Sequence, residues 1–350
     1  MRDGHRVLLA GAGRSGELLR VEFPGLTFLT LPSPIIRWGE GRHSYVGLLF
    51  QFPGMVLSVF REHRFLKNLV HEHDIDVIIS DNRYGLFCRT AYTVFVTHQL
   101  SPVLPGFFRW LEYPLYRMIR MIIGFYDECW IPDTADPLIN LSGNLSHRYK
   151  LPANARFIGI LSRFNRNEIV PESFQARQFD LVAVLSGPEP QISIFEELIC
   201  SQIQNLTCTG IVVRGMRRAP DQLQDTVHPK YTLVSHLDSN NFARILIQAD
   251  HVICRSGYSG IMDLIALGIQ AIFVPTPGQT EQEYLASRLA EKGWFRVVPQ
   301  HQLDLSRLEE NSVNPSLPDL GQNREQSGLP HFHDLYGKYR SHNKKSHEKS

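Results

Sequence analysis

Residues 252–294 read VICRSGYSGIMDLIALGIQAIFVPTPGQTEQEYLASRLAEKGW and carry the strongest structural pattern in the chain. An apolar run ending at Cys254 leads into a small polar loop and a helical pattern. A second apolar run, Ala271–Val274, leads into another polar loop and another helical pattern. Short apolar runs without alternating polar residues are typical of parallel strands that are buried on both faces. The repeated order of strand, loop and helix therefore predicts a parallel sheet covered by helices.

The same alternation extends over most of the chain. Strands are predicted at Arg6–Ala10, Thr27–Leu31, Asp76–Ser80, Thr93–Thr97, Glu128–Ile131, Arg156–Ile158, Phe179–Leu185, Gly210–Arg214, Tyr231–Val234, His251–Cys254 and Ala271–Pro275. Helices are predicted at Val56–His73, Pro114–Phe125, Ser193–Gln204, Asn240–Ile247, Gly260–Leu267 and Glu281–Glu291. Since a domain usually holds about 150 residues, a chain of 350 residues allows two. We therefore expect an α/β protein with two doubly wound, Rossmann-like domains.

Shifts in composition mark the expected domain boundaries. Residues 161–178 (LSRFNRNEIVPESFQARQ) are polar and lack an apolar period. This predicts a linker between an N-terminal domain at 1–160 and a C-terminal domain at 179–302. Residues 303–350 are rich in polar and charged side chains, which predicts a solvated tail with one last helix at His331–Arg340.

The overall composition excludes several classes of protein. With 43% apolar and 20% charged residues, the chain is neither disordered throughout nor collagen-like. A net charge of +1 gives no field that would hold nucleic acid. The five cysteines form no CxxC pair, which argues against a disulfide framework and a zinc ribbon and for a reducing compartment. His71 and His73 do not have the spacing of metal ligands, so we expect no metal site there.

No signal-peptide pattern is present in the first residues of the sequence. The longest uncharged stretch, Ser44–Phe60, is shorter than the roughly 20 apolar residues of a membrane-spanning helix. We therefore expect a cytoplasmic protein.

Two glycine-containing loops follow predicted strands and are candidate phosphate-binding loops. The first, Gly11–Gly16 (GAGRSG), has the spacing of a dinucleotide fingerprint, in which glycines let a pyrophosphate approach a helix N-terminus. The acid that normally ends the next strand is absent, because Thr27–Leu31 is followed by Pro32 and Ser33. A plain strand-to-helix turn is the alternative, and it is the interpretation that we favour.

The second loop, Arg255–Gly260 (RSGYSG), is better placed. Backbone N–H groups at the start of the following helix, together with the positive end of its dipole, can hold a diphosphate. Asp263 lies near the start of that helix, where its carboxylate either accepts hydrogen bonds from ribose hydroxyls or only complements the helix dipole. The polar loop Pro275–Glu283 follows the next strand, at the carboxyl edge where parallel α/β sheets bind ligands. Two adjacent polar loops predict a nucleotide site.

These residues resemble a known family. Val252–Trp294 is similar to the C-terminal donor domain of MurG-like glycosyltransferases, whose GT-B fold has two Rossmann-like domains facing a cleft. This is the C-terminal domain type of glycosyltransferase family 28, and the match is closest to an uncharacterised bacterial branch. Further matches are Leu185–Gln191 (LSGPEPQ), Ser80–Gly85 (SDNRYG) and Thr97–Leu100 (THQL), so that the resemblance covers about residues 5–300.

The resemblance implies a nucleotide-sugar site in the C-terminal domain. Ser256 and Gly257 match the loop on which the diphosphate lies, and Asp263 matches an acidic residue on the uridine ribose. Gln282 and Glu283 match paired glutamines that read the hydroxyls of the donor sugar, but Glu283 lacks the N–H donors of the second glutamine. The other implied donor-site residues are Ser186, Gly187, His236, Arg255, Tyr258, Ser259, Gln279 and Thr280. Of these, Ser186 and Gly187 are expected near the phosphates, and His236 either near the base or in solvent.

Acceptor-side residues are expected after two strands of the N-terminal domain. His98 follows a buried strand and is a candidate general base, since imidazole titrates near neutral pH, or a polar residue that positions the acceptor. Gln99 lies beside it. Asp81, Asn82 and Arg83 follow the preceding strand and either contact the acceptor or include a structural Asp81–Arg83 pair.

The resemblance implies an inverting, metal-independent hexosyltransferase that moves a sugar, an N-acetylhexosamine, from a UDP-sugar. It implies no cofactor. The acceptor would be lipid-linked or part of the cell envelope, and residues 107–123, which mix aromatic side chains, arginines and an apolar stripe, would touch the inner face of the membrane or pack on the sheet. Two alternatives stay open: a UDP-sugar epimerase of the same architecture, and a non-catalytic nucleotide-sugar-binding protein.

The start of the sequence differs from the family pattern. The family begins with a strand, a glycine-rich loop that ends in a histidine, and a helix, and this histidine is the usual candidate base. Here Arg2–His5 resembles the end of a helix with a glycine at its C-cap, followed by a strand. We therefore expect that about one βα unit of the N-terminal domain is missing, through a misplaced start codon or a true truncation.

Overall fold

The computed structural model describes residues 4–32, 44–164, 178–215, 225–235, 237–308, 317–318, 334–335 and 337–339. The chain forms two compact units. The first unit consists of residues 1–49 and 162–318, and the second of residues 50–161 and 319–350. Helices alternate with parallel strands in both units, which confirms the predicted α/β class. The domain boundaries drawn from composition stay a prediction.

The elements are numbered along the chain. The strands are β1 (Leu8–Gly11), β2 (Thr27–Thr30), β3 (Val77–Asp81), β4 (Tyr92–Val96), β5 (Glu128–Ile131), β6 (Ala155–Phe157), β7 (Phe179–Val184), β8 (Gly210–Val213), β9 (Thr226–His228), β10 (Tyr231–Val234), β11 (Ala249–Cys254), β12 (Ile272–Phe273) and β13 (Arg296–Val297). The helices are α1 (Gly13–Glu22), α2 (Ser44–His73), α3 (Glu112–Ile123), α4 (Asn144–His147), α5 (Gln191–Ile203), α6 (Ser239–Ile247), α7 (Tyr258–Leu267) and α8 (Thr280–Glu291).

A seven-stranded sheet forms the centre of the first unit, in the order β13-β12-β11-β7-β8-β10-β9. All of its strand pairs are parallel except β9 with β10. The chain steps outward from β7 through β8 to β10 and then returns to the other side of β7 with β11 and β12. The order therefore reverses between β7 and β11, and such a reversal is where doubly wound sheets bind ligands. A separate parallel pair, β1 and β2, belongs to the same unit.

Helix α5 illustrates how the core of this unit forms. Its apolar residues Ile192, Phe195, Ile199 and Ile203 recur at three- and four-residue spacing, so they share one face of the helix. All four are buried, and they belong to one cluster with strand residues from β7, β8, β10, β11 and β12. Burial of this face removes a large apolar area from water and fixes the helix on the sheet.

The second unit has a four-stranded parallel sheet in the order β3-β4-β5-β6. Every residue of β4 is buried, because helix α3 covers the side of Phe95 while Leu335 joins the cluster around Val94 and Trp130 on the other side. Leu335 is 1% exposed, and Lys338 pairs with Glu128. The described residues of the segment 334–339 are helical, and this segment therefore completes the core of the second unit.

The loop after β3 lies directly against helix α2. A Cβ atom at Gly85 would lie 2.5 Å from the carbonyl oxygen of Val59 and 2.8 Å from the Cβ of Glu62. Arg83 Nη2 donates to Glu62 Oε1 at 2.7 Å, and the Tyr126 hydroxyl donates to the Arg83 carbonyl at 2.7 Å. The absence of a side chain at Gly85 thus lets the helix fix the loop that carries Asp81 and Asn82.

Each predicted strand is present, whereas some helices and short strands differ from the sequence pattern. Helix α2 begins at Ser44 rather than Val56, because the helix continues through Pro53 and Gly54, residues that usually interrupt helices. The strands β9 and β13 hold three and two residues and are too short to give a pattern of their own. Most of the expected linker, 165–177, lies outside the described residues.

Gly85→Ala should lower the free energy of unfolding by about 1–3 kcal/mol, the scale of a forced backbone shift in a packed site. Gly54→Ala is the matched control, since a Cβ atom at Gly54, in helix α2, would have no heavy atom within 4 Å, and alanine favours helices by about 1 kcal/mol over glycine. Urea unfolding measures both. Equal stability of the two variants would contradict the close approach at Gly85.

Candidate functional site

Three polar loops leave the same edge of the seven-stranded sheet. Val184 at the end of β7 pairs with Cys254 at the end of β11, and Cys254 pairs with Phe273 at the end of β12. The segments that begin at residues 185, 255 and 274 are therefore neighbours. They meet where the strand order reverses, and one of them is the second candidate phosphate loop, Arg255–Gly260.

Helix α7 begins at the loop after β11. Its N-cap residue, Gly257, provides no side-chain hydrogen bond, and the first turn contains no acid. The N-cap side chain therefore occupies none of the N–H groups of that turn. A helix start of this kind can bind an anion, because the helix dipole adds a partial positive charge there. Ser256 is completely buried, and its Oγ donates to the Gln282 carbonyl at 2.8 Å, so its side chain joins this loop to helix α8. Tyr258 is buried and Ser259 is exposed.

The carboxylate of Asp263 already has two partners within the protein, Ser162 and Arg163. Both lie at the start of residues 162–318, the second part of the first unit. Ser162 Oγ donates to Asp263 Oδ1 at 2.6 Å, and Arg163 Nε lies 3.6 Å from Asp263 Oδ2. Burial raises the pKa of Asp263, and the hydrogen bond from Ser162 and the charge of Arg163 act in the opposite direction. Nothing in the polar linker sequence predicted this contact.

Gln282 and Glu283, at the start of α8, differ in their surroundings. Gln282 is 5% exposed, and its Oε1 accepts from the Thr276 N–H at 2.9 Å. Glu283 is exposed, and its Oε1 accepts from the Gly278 N–H at 2.8 Å. Each side chain therefore holds the loop after β12. The Nε2 of Gln282 has no hydrogen-bond partner among the described residues and is available to a ligand.

Thr276 is a residue that the sequence pattern did not single out. It is 4% exposed, and its Oγ1 is buried without a hydrogen-bond partner among the described residues. A Cβ atom at Gly187, in the loop after β7, would lie 3.9 Å from that Oγ1, and Gly187 has a φ of +119° that side chains rarely adopt. Gly187 and its exposed neighbour Ser186 therefore lie beside an unsatisfied hydroxyl, which would accept or donate a hydrogen bond to a ligand.

Arg255 is 2% exposed and binds neighbouring loops rather than solvent. Its Nη1 donates to the carbonyls of Val274 and Pro275 at 2.9 and 3.2 Å, and its Nη2 donates to the Gln191 carbonyl at 3.3 Å and to Gln300 Oε1 at 2.7 Å. A direct contact between this guanidinium and a ligand stays a prediction. Of the other predicted donor-site residues, Gln279 is the N-cap and Thr280 the first residue of α8, while His236 lies outside the described residues.

The predicted acceptor-side residues lie together at the carboxyl edge of the second unit's sheet. Asp81 pairs in register with Val96, so Asn82 and Thr97 leave the sheet side by side, and Thr97 Oγ1 donates to Asn82 Oδ1 at 3.2 Å. Desolvation by the surrounding protein raises the pKa of Asp81, and the charge of nearby His98 opposes this shift. His98 and Gln99 are half-buried.

The Arg83 guanidinium forms an ion pair with Glu62, at 2.7 Å. This contact differs from the structural pair with Asp81 that the sequence suggested as an alternative for Arg83. Because Glu62 lies in helix α2, the ion pair holds the loop after β3 against that helix. The roles of Asp81, Asn82, Arg83, His98 and Gln99 toward an acceptor stay predictions.

Two of the three glycines in the first candidate loop, Gly11 and Gly16, are explained by packing. A Cβ atom at Gly11 would lie 3.1 Å from the Gly16 Cα, and one at Gly16 would lie 3.0 Å from the Phe28 ring and 3.2 Å from the Gly11 carbonyl carbon. These contacts let β1, α1 and β2 pack closely, as in a plain strand-to-helix turn. Within the described ranges, three or more metal-ligating side chains do not gather at any point, and none of the helices has the length and apolar character to cross a bilayer.

Comparison with known proteins relates this chain to glycosyltransferases. Residues 203–329 match the sequence model of the Glycosyltransferase family 28 C-terminal domain. An uncharacterized glycosyltransferase of Methanosarcina acetivorans is 24% identical over 314 residues, which cover 85% of this chain and 79% of that protein. The UDP-N-acetylglucosamine--N-acetylmuramyl-(pentapeptide) pyrophosphoryl-undecaprenol N-acetylglucosamine transferase of Pasteurella multocida is 39% identical over 139 residues, which span only 39% of each chain.

Solved structures agree on the fold. The calicheamicin glycosyltransferase CalG4 aligns with 99% of this chain and 92% of its own, with a TM-score of 0.56 and 14% identity. This likeness concerns the fold of the two-domain GT-B glycosyltransferases, and the family match covers two of the three loops, those that begin at residues 255 and 274. Residues 203–329 thus match a family 28 C-terminal domain, and the fold is that of the GT-B glycosyltransferases.

Proposed function

We propose that the chain transfers an N-acetylhexosamine from a UDP-sugar to an acceptor hydroxyl, with inversion at the sugar carbon and without a metal ion. The observation that carries the proposal is the meeting of three polar loops where the strand order reverses. The relative from P. multocida, named as an N-acetylglucosamine transferase acting on UDP-N-acetylglucosamine, supports this choice of nucleotide and sugar over the part that matches.

The leaving group of this reaction is a diphosphate that gains negative charge. As the bond between the sugar C1 and the phosphate oxygen breaks, its electron pair moves to that oxygen. The first turn of α7 offers N–H groups without a side-chain cap and carries no acid, so it can stabilise this charge as the bond breaks. Such a helix N-terminus supplies the stabilisation that a cation gives in other transferases.

The incoming acceptor oxygen must lose a proton while it attacks the opposite face of the sugar. We assign this proton to His98, because histidine is the side chain that most often acts as a general base, and because Asp81, which interacts with it electrostatically, can stabilise the imidazolium that forms. The donor sugar is assigned to Gln282, whose Nε2 is available, and to the exposed Glu283, which can only accept hydrogen bonds.

A donor screen tests this function directly. Calorimetric titration with UDP-, GDP- and TDP-sugars should show tightest binding for a UDP-N-acetylhexosamine. Transfer of its labelled sugar to a lipid extract should then depend on the extract. A clear preference for GDP or TDP would contradict the uridine assignment, and conversion of the UDP-sugar without any acceptor would indicate an epimerase.

Asp263→Asn should weaken UDP binding by about 1–3 kcal/mol, the scale of a hydrogen bond to a charged group. Its thermal stability at pH 7 should not fall. Because burial raises the pKa of Asp263, the ionised carboxylate disfavours the folded state, and this cost grows as the pH rises through that pKa. The neutral amide removes the cost.

Ser162→Ala is the matched variant, because it removes the hydroxyl from Asp263 and leaves the carboxylate in place. We expect it to bind UDP as tightly as the unmodified chain or more tightly. An equal loss of UDP affinity in both variants would show that Asp263 acts only through Ser162. No loss in Asp263→Asn would show that its carboxylate does not bind ribose.

A surface of the second unit supports a membrane-bound acceptor. Phe107, Trp110 and Tyr113 are 85%, 69% and 51% exposed, and Arg109, Arg117 and Arg120 are exposed among them. We call these six residues the aromatic–basic surface. The single acid of residues 106–125, Glu112, is 1% exposed and pairs with Arg148. Exposed aromatic rings with arginines and no exposed carboxylate suit the boundary of an anionic bilayer. We propose that this surface brings the protein to lipid-linked acceptors at the inner face of the membrane.

Replacing Phe107 and Trp110 together by Ser should lower affinity for phosphatidylglycerol vesicles by about tenfold or more, since two large apolar side chains leave the bilayer boundary. Val227→Ser, at a strand residue of the first unit that is 80% exposed, is the control and should bind as the unmodified chain does. Vesicle co-sedimentation measures the affinity. Unchanged binding of the double variant would contradict the role of the aromatic–basic surface.

A further inference from the structure

Arg255 carries a charge that no carboxylate among the described residues balances. Its guanidinium is 2% exposed, and every hydrogen bond that it donates goes to a neutral oxygen: three backbone carbonyls and the side-chain amide of Gln300. The Phe195 ring lies 3.9 Å from its central carbon. Across the described residues, no carboxylate lies within ion-pair distance of this guanidinium.

A buried cation without a counter-ion is unusual, because removal of a charge from water is costly unless an opposite charge lies beside it. Burial lowers the pKa of Arg255 to about 10, so the side chain still carries its charge at neutral pH. By contrast, the buried carboxylates of Glu62 and Glu112 are each paired with an arginine. The exception at Arg255 therefore calls for a partner outside the protein.

The position of Arg255 indicates what that partner is. Arg255 directly precedes Ser256 and Gly257, at the start of helix α7, and its guanidinium lies against the carbonyls of Val274 and Pro275, which follow β12. The positive end of the α7 dipole points to the same loop. Electrostatic interactions weaken less with distance where water is excluded. The charge of the guanidinium and the dipole of α7 therefore both favour an anion at this loop.

We propose that Arg255 is a buried positive charge that attracts the diphosphate of a bound nucleotide through the protein, without contact between the two. This inference rests on the proposed function, whose donor is a nucleoside diphosphate, and it goes further by assigning part of the affinity for the phosphates to a residue that does not touch them. The charge acts on a nucleoside diphosphate and not on the uncharged nucleoside.

Gln300→Glu tests this role by placing a carboxylate next to Arg255 with nearly the same shape as the amide it replaces. The new ion pair should keep or raise the thermal unfolding midpoint, and it should weaken UDP binding by about tenfold, since it cancels the buried charge. Binding of uridine should not change. Gln302→Glu is the control, because it adds the same charge two residues away at an exposed position and should leave both affinities unchanged.

Each result of these titrations distinguishes the inference from the proposed function. The inference alone is overturned if Gln300→Glu binds UDP as tightly as the unmodified chain does. It is also overturned if Gln300→Glu loses as much affinity for uridine as for UDP. Failure of the unmodified chain to bind any nucleoside diphosphate overturns both. If Gln300→Glu does not fold, Arg255→Lys and Arg255→Gln give the same comparison. Both variants lose the hydrogen bonds of the guanidinium, but only Arg255→Lys keeps the positive charge. We therefore expect Arg255→Lys to bind UDP more tightly than Arg255→Gln, and both variants to bind uridine equally.

Discussion

The loops at the strand-order reversal depend on the hydrogen bonds of one side chain. The Arg255 guanidinium binds carbonyls that follow β12 and the carbonyl of the first residue of α5, and it also binds Gln300 after β13. Without these bonds, the buried carbonyls would lack partners in a region that excludes water. The three loops are therefore held in one arrangement before any ligand arrives, which lowers the entropy that binding would cost.

Several predicted donor-site residues hold the loops together. Ser256 uses its hydroxyl to join the β11–α7 loop to α8, and Gln282 uses one end of its amide to hold the backbone of Thr276. The other end of that amide and the Thr276 hydroxyl have no partner among the described residues. The same side chains thus fix the shape of the site and leave polar atoms for recognition.

The strands and their polar loops could be predicted from sequence, because buried parallel strands are short apolar runs and because ligand loops follow their carboxyl ends. The start of α2 could not, since Pro53 and Gly54 resemble a helix end although the helix continues through them. The contact between Ser162 and Asp263 joins residues 101 positions apart and leaves no local pattern. The burial of Arg255 was equally hidden, because an arginine in a polar loop normally points to solvent.

The last described helical residues also determine how the chain can be divided. Leu335 and Lys338 belong to the second unit, although residues 162–318 build the first. A fragment that ends at residue 302 would leave the apolar face around Val94 and Trp130 uncovered, and a fragment that begins at residue 179 would carry Leu335 with nothing to bury it. The two units are therefore interleaved in sequence, and a single cut in the linker cannot produce two complete folding units.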